Sequence, residues 1–259
     1  MLGPNSPDNV CRPLISEWRS VSEVPSLAAG EVHVWLLRID ERLRSLVETS
    51  LSQAEMERAN VFRFRKHQTQ FVVSRGSLRF LLGQYLCQAA GDIEIHYADL
   101  GKPYLSQQFQ PNVHFNISHS SEYAVLAFSH TQELGIDSER REPESIDEGL
   151  LRQCLTASEK LIYEQALPEE KTEFFFDTWA RKEAYMKLLG DGLNIPPNEL
   201  SLCPIRSARE TEESYNVCFS PMPALQGFSS ALAIRKQPSN VQFYMPGSNS
   251  VMQRVPACT

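Results

Sequence analysis

No apolar run in this sequence approaches the length of a membrane span, which excludes a helical membrane protein. Met1 to Pro13 lack the basic start and hydrophobic core of a secretory signal, so a cytoplasmic protein with no membrane partner is expected. The six cysteines (Cys11, Cys87, Cys154, Cys203, Cys218, Cys258) include no CxxC pair, and no histidines group at zinc-ligand spacing. They read as reduced thiols that pack, not as a disulfide framework or a zinc site. A basic excess is missing as well. The formal net charge of -7 argues against general nucleic-acid binding. There is no GxSxG segment to supply the elbow of a serine hydrolase.

What remains is an ordinary globular composition, 259 residues with 42% hydrophobic and 22% charged, enough for one large domain or two smaller ones. Charge is unevenly placed. Arg58, Arg63, Arg65, Lys66, Arg75 and Arg79 form a basic stretch interleaved with Phe62, Phe64 and Phe71, and an acidic run (Glu139, Glu142, Glu144, Asp147, Glu148) follows Asp137. Strands are expected at 33–39, 93–96, 113–117, 123–128, 135–139, 215–219, 229–235 and 241–245. Helices are expected at 51–63, where Ser52 and Glu55 have capping-box spacing, and at 68–90, 158–166 and 172–189. The order repeats: in each half a long helix leads to a glycine-bearing turn and strands. The expected fold class is therefore α+β with a pseudo-repeat. Residues 1–30 are expected to be a poorly ordered N-terminal extension, 31–129 an N-terminal subdomain, 130–246 a C-terminal subdomain and 247–259 a flexible tail.

Three segments carry chemistry. In Gly135-Ile136-Asp137-Ser138-Glu139, alternation on a strand puts Asp137 and Glu139 on one face. Two carboxylates aimed one way from a partly buried strand repel unless a cation sits between them. Magnesium suits this, because it binds one or two carboxylates together with substrate phosphates. In Trp179-Ala180-Arg181-Lys182-Glu183-Ala184-Tyr185-Met186-Lys187, helical spacing puts Trp179, Lys182, Glu183 and Lys187 on one face. Taken singly, Glu183 and Lys187 are no more than an i,i+4 ion pair. In His114-Phe115-Asn116-Ile117-Ser118-His119-Ser120, a strand enters a turn rich in hydroxyls and imidazole, read as a phosphate-contacting loop; a self-bonded polar turn is the plain alternative.

In this order and spacing, Asn116-Ile117-Ser118-His119-Ser120, Gly135-Ile136-Asp137-x-Glu139 and Trp179-x-x-Lys182-Glu183-Ala184-x-x-Lys187 resemble the three signature motifs of 4′-phosphopantetheinyl transferases, most of all the broad-range surfactin-synthetase type. Gly101-Lys102-Pro103-Tyr104 and Thr156-Ala157-Ser158-Glu159 resemble further family segments, and the match spans roughly residues 50 to 235. Ser138 departs from the apolar residue usual there, on the strand face opposite the two acids.

The resemblance implies two similar α/β subdomains related by a pseudo-twofold, working as a monomer, with coenzyme A bound between them. It implies transfer of the phosphopantetheine arm to a serine of an acyl- or peptidyl-carrier protein, with release of adenosine 3′,5′-bisphosphate. Asp137, Glu139 and Glu183 would hold Mg²⁺. Lys187 and His119 would donate to the pyrophosphate, with Ser118 beside His119, and Lys182 would orient Glu183 or contact phosphate. Arg58, Arg75, Lys102 and Pro103 would lie near the adenosine and 3′-phosphate end. Glu183 is the first choice for general base, with Glu139 or a metal-bound water as alternatives. Arg140, Arg141, Ile146, Leu150 and Leu151 would offer the carrier a mixed basic and apolar surface. Two other readings remain: a non-catalytic coenzyme A or carrier-binding module, and a magnesium-dependent pyrophosphate hydrolase.

Overall fold

A computed structural model of the chain describes residues 17–106, 113–190, 195–202, 215–247 and 251–253. The expectations for residues 1–16 and for most of the tail, and for Cys11, Cys203 and Cys258, lie outside the described residues. Within them the protein is a mixed α/β structure built on two sheets. The first runs β1-β10-β2-β6-β5 and the second β7-β9-β8. The strands of the first are β1 (Arg19–Val21), β2 (Glu31–Arg38), β5 (His114–Ser120), β6 (Tyr123–Ser129) and β10 (Asn240–Pro246). Those of the second are β7 (Leu134–Arg140), β8 (Cys218–Ser220) and β9 (Phe228–Ile234). A separate hairpin pairs β3 (Ile95–Tyr97) with β4 (Pro103–Leu105).

Strand β2 shows why the first sheet lies inside the molecule. Trp35 and Leu37 pack into one core with helix α3 (Arg65–Leu86), while Val32, Val34 and Leu36 pack on the opposite face against Leu134, Ile136, Leu232 and Ile234 of the second sheet. A strand buried on both faces reads as a continuous apolar run, as Val34 to Leu37 do. The far face of the second sheet is covered by helix α6 (Pro168–Leu189) through Ala180, Ala184, Leu188, Ala231 and Ala233. The approach is close because of Gly135: a Cβ there would stand 2.0 Å from the carbonyl oxygen of Ala184.

The described residues also form four shorter α-helices: α1 (Glu41–Val47), α2 (Gln53–Asn60), α4 (Glu148–Cys154) and α5 (Ala157–Gln165). The Ser52 and Glu55 capping box is formed at α2, and Thr156 with Glu159 forms a second at α5. Helix α6 ends at Gly190, whose φ of 77° is the left-handed conformation that lets glycine stop a helix. Among the described residues, no helix is long and apolar enough to cross a membrane.

Several features differ from the sequence expectations. Arg19–Val21, inside the span expected to be poorly ordered, pairs in parallel with β10. Strand β10, expected with the second half, returns to the first sheet between β1 and β2. Strand β5 does not stop before its serines but runs through Ser120, paired with β6 along its whole length. Leu151, expected on a docking surface, is buried with Phe174, Phe175 and Phe176, because α4 turns its apolar side onto α6.

Candidate active site

The polar run of β5 is explained by what lies beside it. Edge strand β5 of the first sheet follows edge strand β7 of the second, and side chains of β5 bridge the two. Asn116 Oδ1 accepts from the Ile136 backbone N–H at 3.0 Å, and the Ser118 hydroxyl donates to Asp137 Oδ1 at 2.7 Å. The Ser120 hydroxyl donates to Glu139 Oε2 at 2.9 Å and accepts from the Arg140 N–H at 3.1 Å. Residues 116, 118 and 120 share a face by strand alternation, so one stripe of short polar side chains serves an edge that no backbone ladder covers.

Helix α6 adds the cation. Lys187 Nζ donates to Asp137 Oδ1 at 2.6 Å and to Ser118 Oγ at 2.9 Å. Asp137 is 1% exposed, and its other oxygen, Oδ2, is buried without a hydrogen-bond partner. Glu139 and Glu183 face the same cleft of about 450 Å³, together with Ser118, His119, Arg58 and Arg75. Burial raises the pKa of Glu139 to about 7, with the charge of Asp137 adding to the effect. Glu183 is raised for the same two reasons, and Lys187 opposes the rise. Three acids thus stand in one another's field with a single lysine among them.

His119 has its pKa lowered, first by desolvation in the cleft, with Lys187 and Arg75 acting in the same direction. Its Nδ1 lies 3.1 Å from Gln70 Nε2. A neutral ring that accepts from this amide at Nδ1 carries its proton on Nε2. Arg58 stacks over the Phe71 ring at 5.3 Å, and Arg75 over the Tyr97 ring at the same distance. Arg75 Nη1 is buried without a partner.

Lys182 goes elsewhere. Expected on one face with Glu183 and Lys187, it is fully buried on the side of α6 that meets α5, donating to Glu159 Oε2 (2.5 Å), Cys154 O (2.6 Å) and Pro197 O (2.9 Å). Three acceptors use its three donors. Lys102 and Pro103 do not line the cleft either. Lys102 Nζ donates to the Leu188 carbonyl at 2.8 Å, at the C-terminal end of α6, where a cation is favoured. Arg140 and Arg141, expected on the docking surface, pair with Glu122 and with Glu173 and Asp177. Ser138, buried opposite the acids, accepts from the Ser230 hydroxyl at 2.8 Å, so the cross-strand pair satisfies itself.

Sequence reasoning missed Gln70 and Ser74, which also line the cleft, and the bridging role of Asn116 and Ser120. The signal available for the first two was their position on α3 near Arg75; nothing in the sequence marks Asn116 as a partner of a strand edge. A second cleft, of about 370 Å³, lies among Trp18, Leu36, Tyr123 and Met245 and contains none of the motif residues.

Among the described residues, no three His, Cys, Asp or Glu side chains stand in the close grouping of a formed metal centre. The donor set nevertheless suits a hard divalent cation. It is all carboxylate, one buried oxygen is orphaned, and two of the acids have raised pKa values that a cation would bring down.

Comparison with known proteins agrees with this picture. A family model described as the 4′-phosphopantetheinyl transferase superfamily matches residues 133–230, and one described as the 4′-phosphopantetheinyl transferase N-terminal region matches residues 40–131. The chain is 36% identical over 189 residues to the 4′-phosphopantetheinyl transferase HetI of Nostoc sp., covering 71% of this chain and 79% of the relative. It is 29% identical over 168 residues to the 4′-phosphopantetheinyl transferase Sfp of Bacillus subtilis, covering 60% and 73%. It is 29% identical over 161 residues to the human L-aminoadipate-semialdehyde dehydrogenase-phosphopantetheinyl transferase, covering 58% and 52%.

Proposed function

The chain belongs to the 4′-phosphopantetheinyl transferase superfamily, and from that premise we propose how its own residues carry the reaction. It is a transferase that moves the phosphopantetheine arm of coenzyme A to a carrier protein. In our reading the acceptor is a serine hydroxyl of an acyl- or peptidyl-carrier protein. The serine oxygen forms a bond to the phosphorus that bears the pantetheine, the bond from that phosphorus to the adenosine side breaks, and adenosine 3′,5′-bisphosphate leaves.

Asp137, Glu139 and Glu183 would hold Mg²⁺. Bound there, the ion would supply charge neutralisation to the pyrophosphate. Lys187, kept in place by Asp137 and Ser118, donates to the pyrophosphate as negative charge grows on the leaving group. His119 donates from Nε2. Glu183, which faces the same cleft as Lys187 and His119, takes the serine proton. Arg58 and Arg75 serve the adenosine and 3′-phosphate end. Lys182 acts as a positioning residue: by fixing α6 to α5 it sets where Glu183 and Lys187 stand. Lys102 does the same for the hairpin whose second strand begins at Pro103. Ile146 and Leu150, half-buried rather than sealed in, are left as the apolar part of the carrier surface.

We also read the two halves as related by a pseudo-twofold. In support, β2-β6-β5 and β7-β9-β8 have the same order, first, third, second, with antiparallel neighbours throughout. Subdomains divided near residue 130, with β10 passing back to the first, and a working monomer follow from this reading.

The observation that carries the assignment is the half-satisfied Asp137: Oδ1 held by Lys187 and Ser118, Oδ2 buried and unpartnered in a cleft with two further acids. The test is the intact mass of an apo carrier protein incubated with this protein, coenzyme A and Mg²⁺. A gain of the phosphopantetheinyl mass, lost with Asp137→Ala and Glu183→Ala, is expected. Release of adenosine bisphosphate with no carrier present, or no gain on either an acyl or a peptidyl carrier, would overturn it.

A further inference from the structure

Arg58 and Arg75 both line the cleft and stack on an aromatic ring, and of the two Arg75 is the one with a buried, unpartnered nitrogen. Its guanidinium lines the cleft, its Nη1 is buried, and among the described residues no carboxylate or carbonyl holds it. Its partner is an aromatic ring: Tyr97 stands with its centroid 5.3 Å from the guanidinium carbon. A ring can hold a cation while leaving its N–H donors free, which a carboxylate cannot do. An arginine kept in this way is set to bind an anion.

Tyr97 is the last residue of β3, and the hairpin fixes its place although the residue is 47% exposed. It pairs with Pro103 across the hairpin. The turn between them is closed by the Ala98 N–H donating to Lys102 O at 2.9 Å and the Gly101 N–H to Ala98 O at 2.8 Å. Gly101, at φ 86°, takes the left-handed conformation this turn requires. Lys102 then ties the turn to the Leu188 carbonyl on α6, the helix that carries Glu183 and Lys187. The hairpin thus links the acid and lysine end of the cleft to the side chain that orients Arg75.

We propose that Tyr97 is a positioning residue for substrate binding: its ring holds the Arg75 guanidinium in the cleft, so the β3–β4 hairpin sets how tightly the 3′-phosphate of coenzyme A is gripped. This rests on the reading of Arg75 as a contact of that phosphate. Tyr97 itself touches no reacting atom, so its removal weakens binding and leaves chemistry unchanged.

The test compares coenzyme A with 3′-dephospho-coenzyme A in the wild type, Arg75→Met, Tyr97→Leu and Tyr97→Phe. Arg75→Met raises KM for coenzyme A towards that of the dephospho form. Tyr97→Leu raises KM for coenzyme A about three- to five-fold, as expected for loss of a partly exposed cation–π contact. Its kcat and its KM for the dephospho substrate do not change, and Tyr97→Phe, which keeps the ring, behaves as wild type. If Tyr97→Leu leaves KM for coenzyme A unchanged while Arg75→Met raises it, the role of Tyr97 is overturned and the role of Arg75 stands. If Tyr97→Leu raises both KM values equally, the ring supports the hairpin in general and the proposal fails. If Arg75→Met changes neither KM, the phosphate assignment of Arg75 fails and the proposal falls with it.

Discussion

The two halves of the molecule contain the same buried device. In the first, Glu55 caps α2 and also accepts from Arg79 Nε of α3, whose Nη1 donates to the carbonyls of Ala90 (3.0 Å) and Ile93 (2.8 Å). In the second, Glu159 caps α5 and accepts from Lys182 of α6, which also donates to the carbonyls of Cys154 and Pro197. Each is one capping glutamate, one cation from the following long helix, and two backbone carbonyls. The halves diverge at the residues beyond that cation. After Arg79 comes Phe80, a core residue; after Lys182 comes Glu183, and one helical turn further is Lys187, both in the cleft. The shared part holds helices together; the acids and the lysine of the cleft come from the second half alone, whereas Arg58, Arg75, Ser118 and His119 come from the first. In this comparison Arg79 of α3 corresponds to Lys182 of α6.

The largest test of this division is where the second half has least room. Gly135→Ala would place a methyl group 2.0 Å from the Ala184 carbonyl oxygen and 2.4 Å from the Leu188 nitrogen, both backbone atoms that cannot step aside. The cost should exceed the about 1–3 kcal/mol of ordinary overpacking. Thermal melts should show a destabilised protein, and what folds should lack transferase activity, because β7 and α6 can no longer bring Asp137 to Lys187. A melt close to that of wild type would mean that the sheet–helix contact is looser than its geometry implies.

Next come the two struts, which should behave alike. Lys182→Met leaves Glu159 buried without its cation, and Arg79→Met does the same to Glu55. Each should cost roughly 3–5 kcal/mol in denaturant melts, the penalty for breaking a buried pair. Pairing Lys182→Met with Glu159→Gln should recover part of it. If Lys182→Met instead melted normally but abolished turnover, Lys182 would belong with the chemistry and the comparison of halves would fail.

Lys187→Ala is the counterpart. Its side chain is 28% exposed and opens on the cleft, but its partner Asp137 is 1% exposed, so stability should fall by roughly 1–3 kcal/mol, less than for the fully buried Lys182. Turnover should fall about 100-fold, the scale of losing one donor to a developing charge. An equal loss of stability and activity would erase the distinction between Lys182 and Lys187.

These two lysines also mark how far the sequence can be read. The capping boxes, the long helices and the pairing of Asp137 with Glu139 follow from spacing alone. The burial of Lys182 does not, because α6 is apolar at Phe174 to Phe176, Ala180 and Ala184 and so has no single inner face for the period to reveal. The serines of β5 resemble a turn for a related reason: a strand edge that is bridged by side chains needs the same short polar residues as a loop. The return of β10 to the first sheet is a parallel, long-range pairing with no local signature. Leu151 reads as a surface residue because a seven-residue helix is too short for its apolar side to show in the pattern.

The smallest effect concerns protons, and its sign follows from the direction of the shift. The pKa of Glu139 in the fold is raised to about 7, so the folded protein retains a proton that the unfolded chain releases near the ordinary glutamate value. Without metal, stability should therefore fall as pH rises between about 4.3 and 7. Glu139→Gln removes the part of this dependence that belongs to Glu139 and leaves the part that belongs to Glu183, whose pKa is raised as well. In the presence of a chelator it should stabilise the protein by about 1–2 kcal/mol at pH 8 and leave it unchanged at about pH 4.5. Added Mg²⁺ should raise the wild-type melting temperature at pH 8 and have little effect on Glu139→Gln, since a cation among the three acids relieves the same repulsion. Equal stability of wild type and variant at both pH values would show that Glu139 carries no excess charge energy. The comparison of the halves would then rest on Asp137, Glu183 and Lys187.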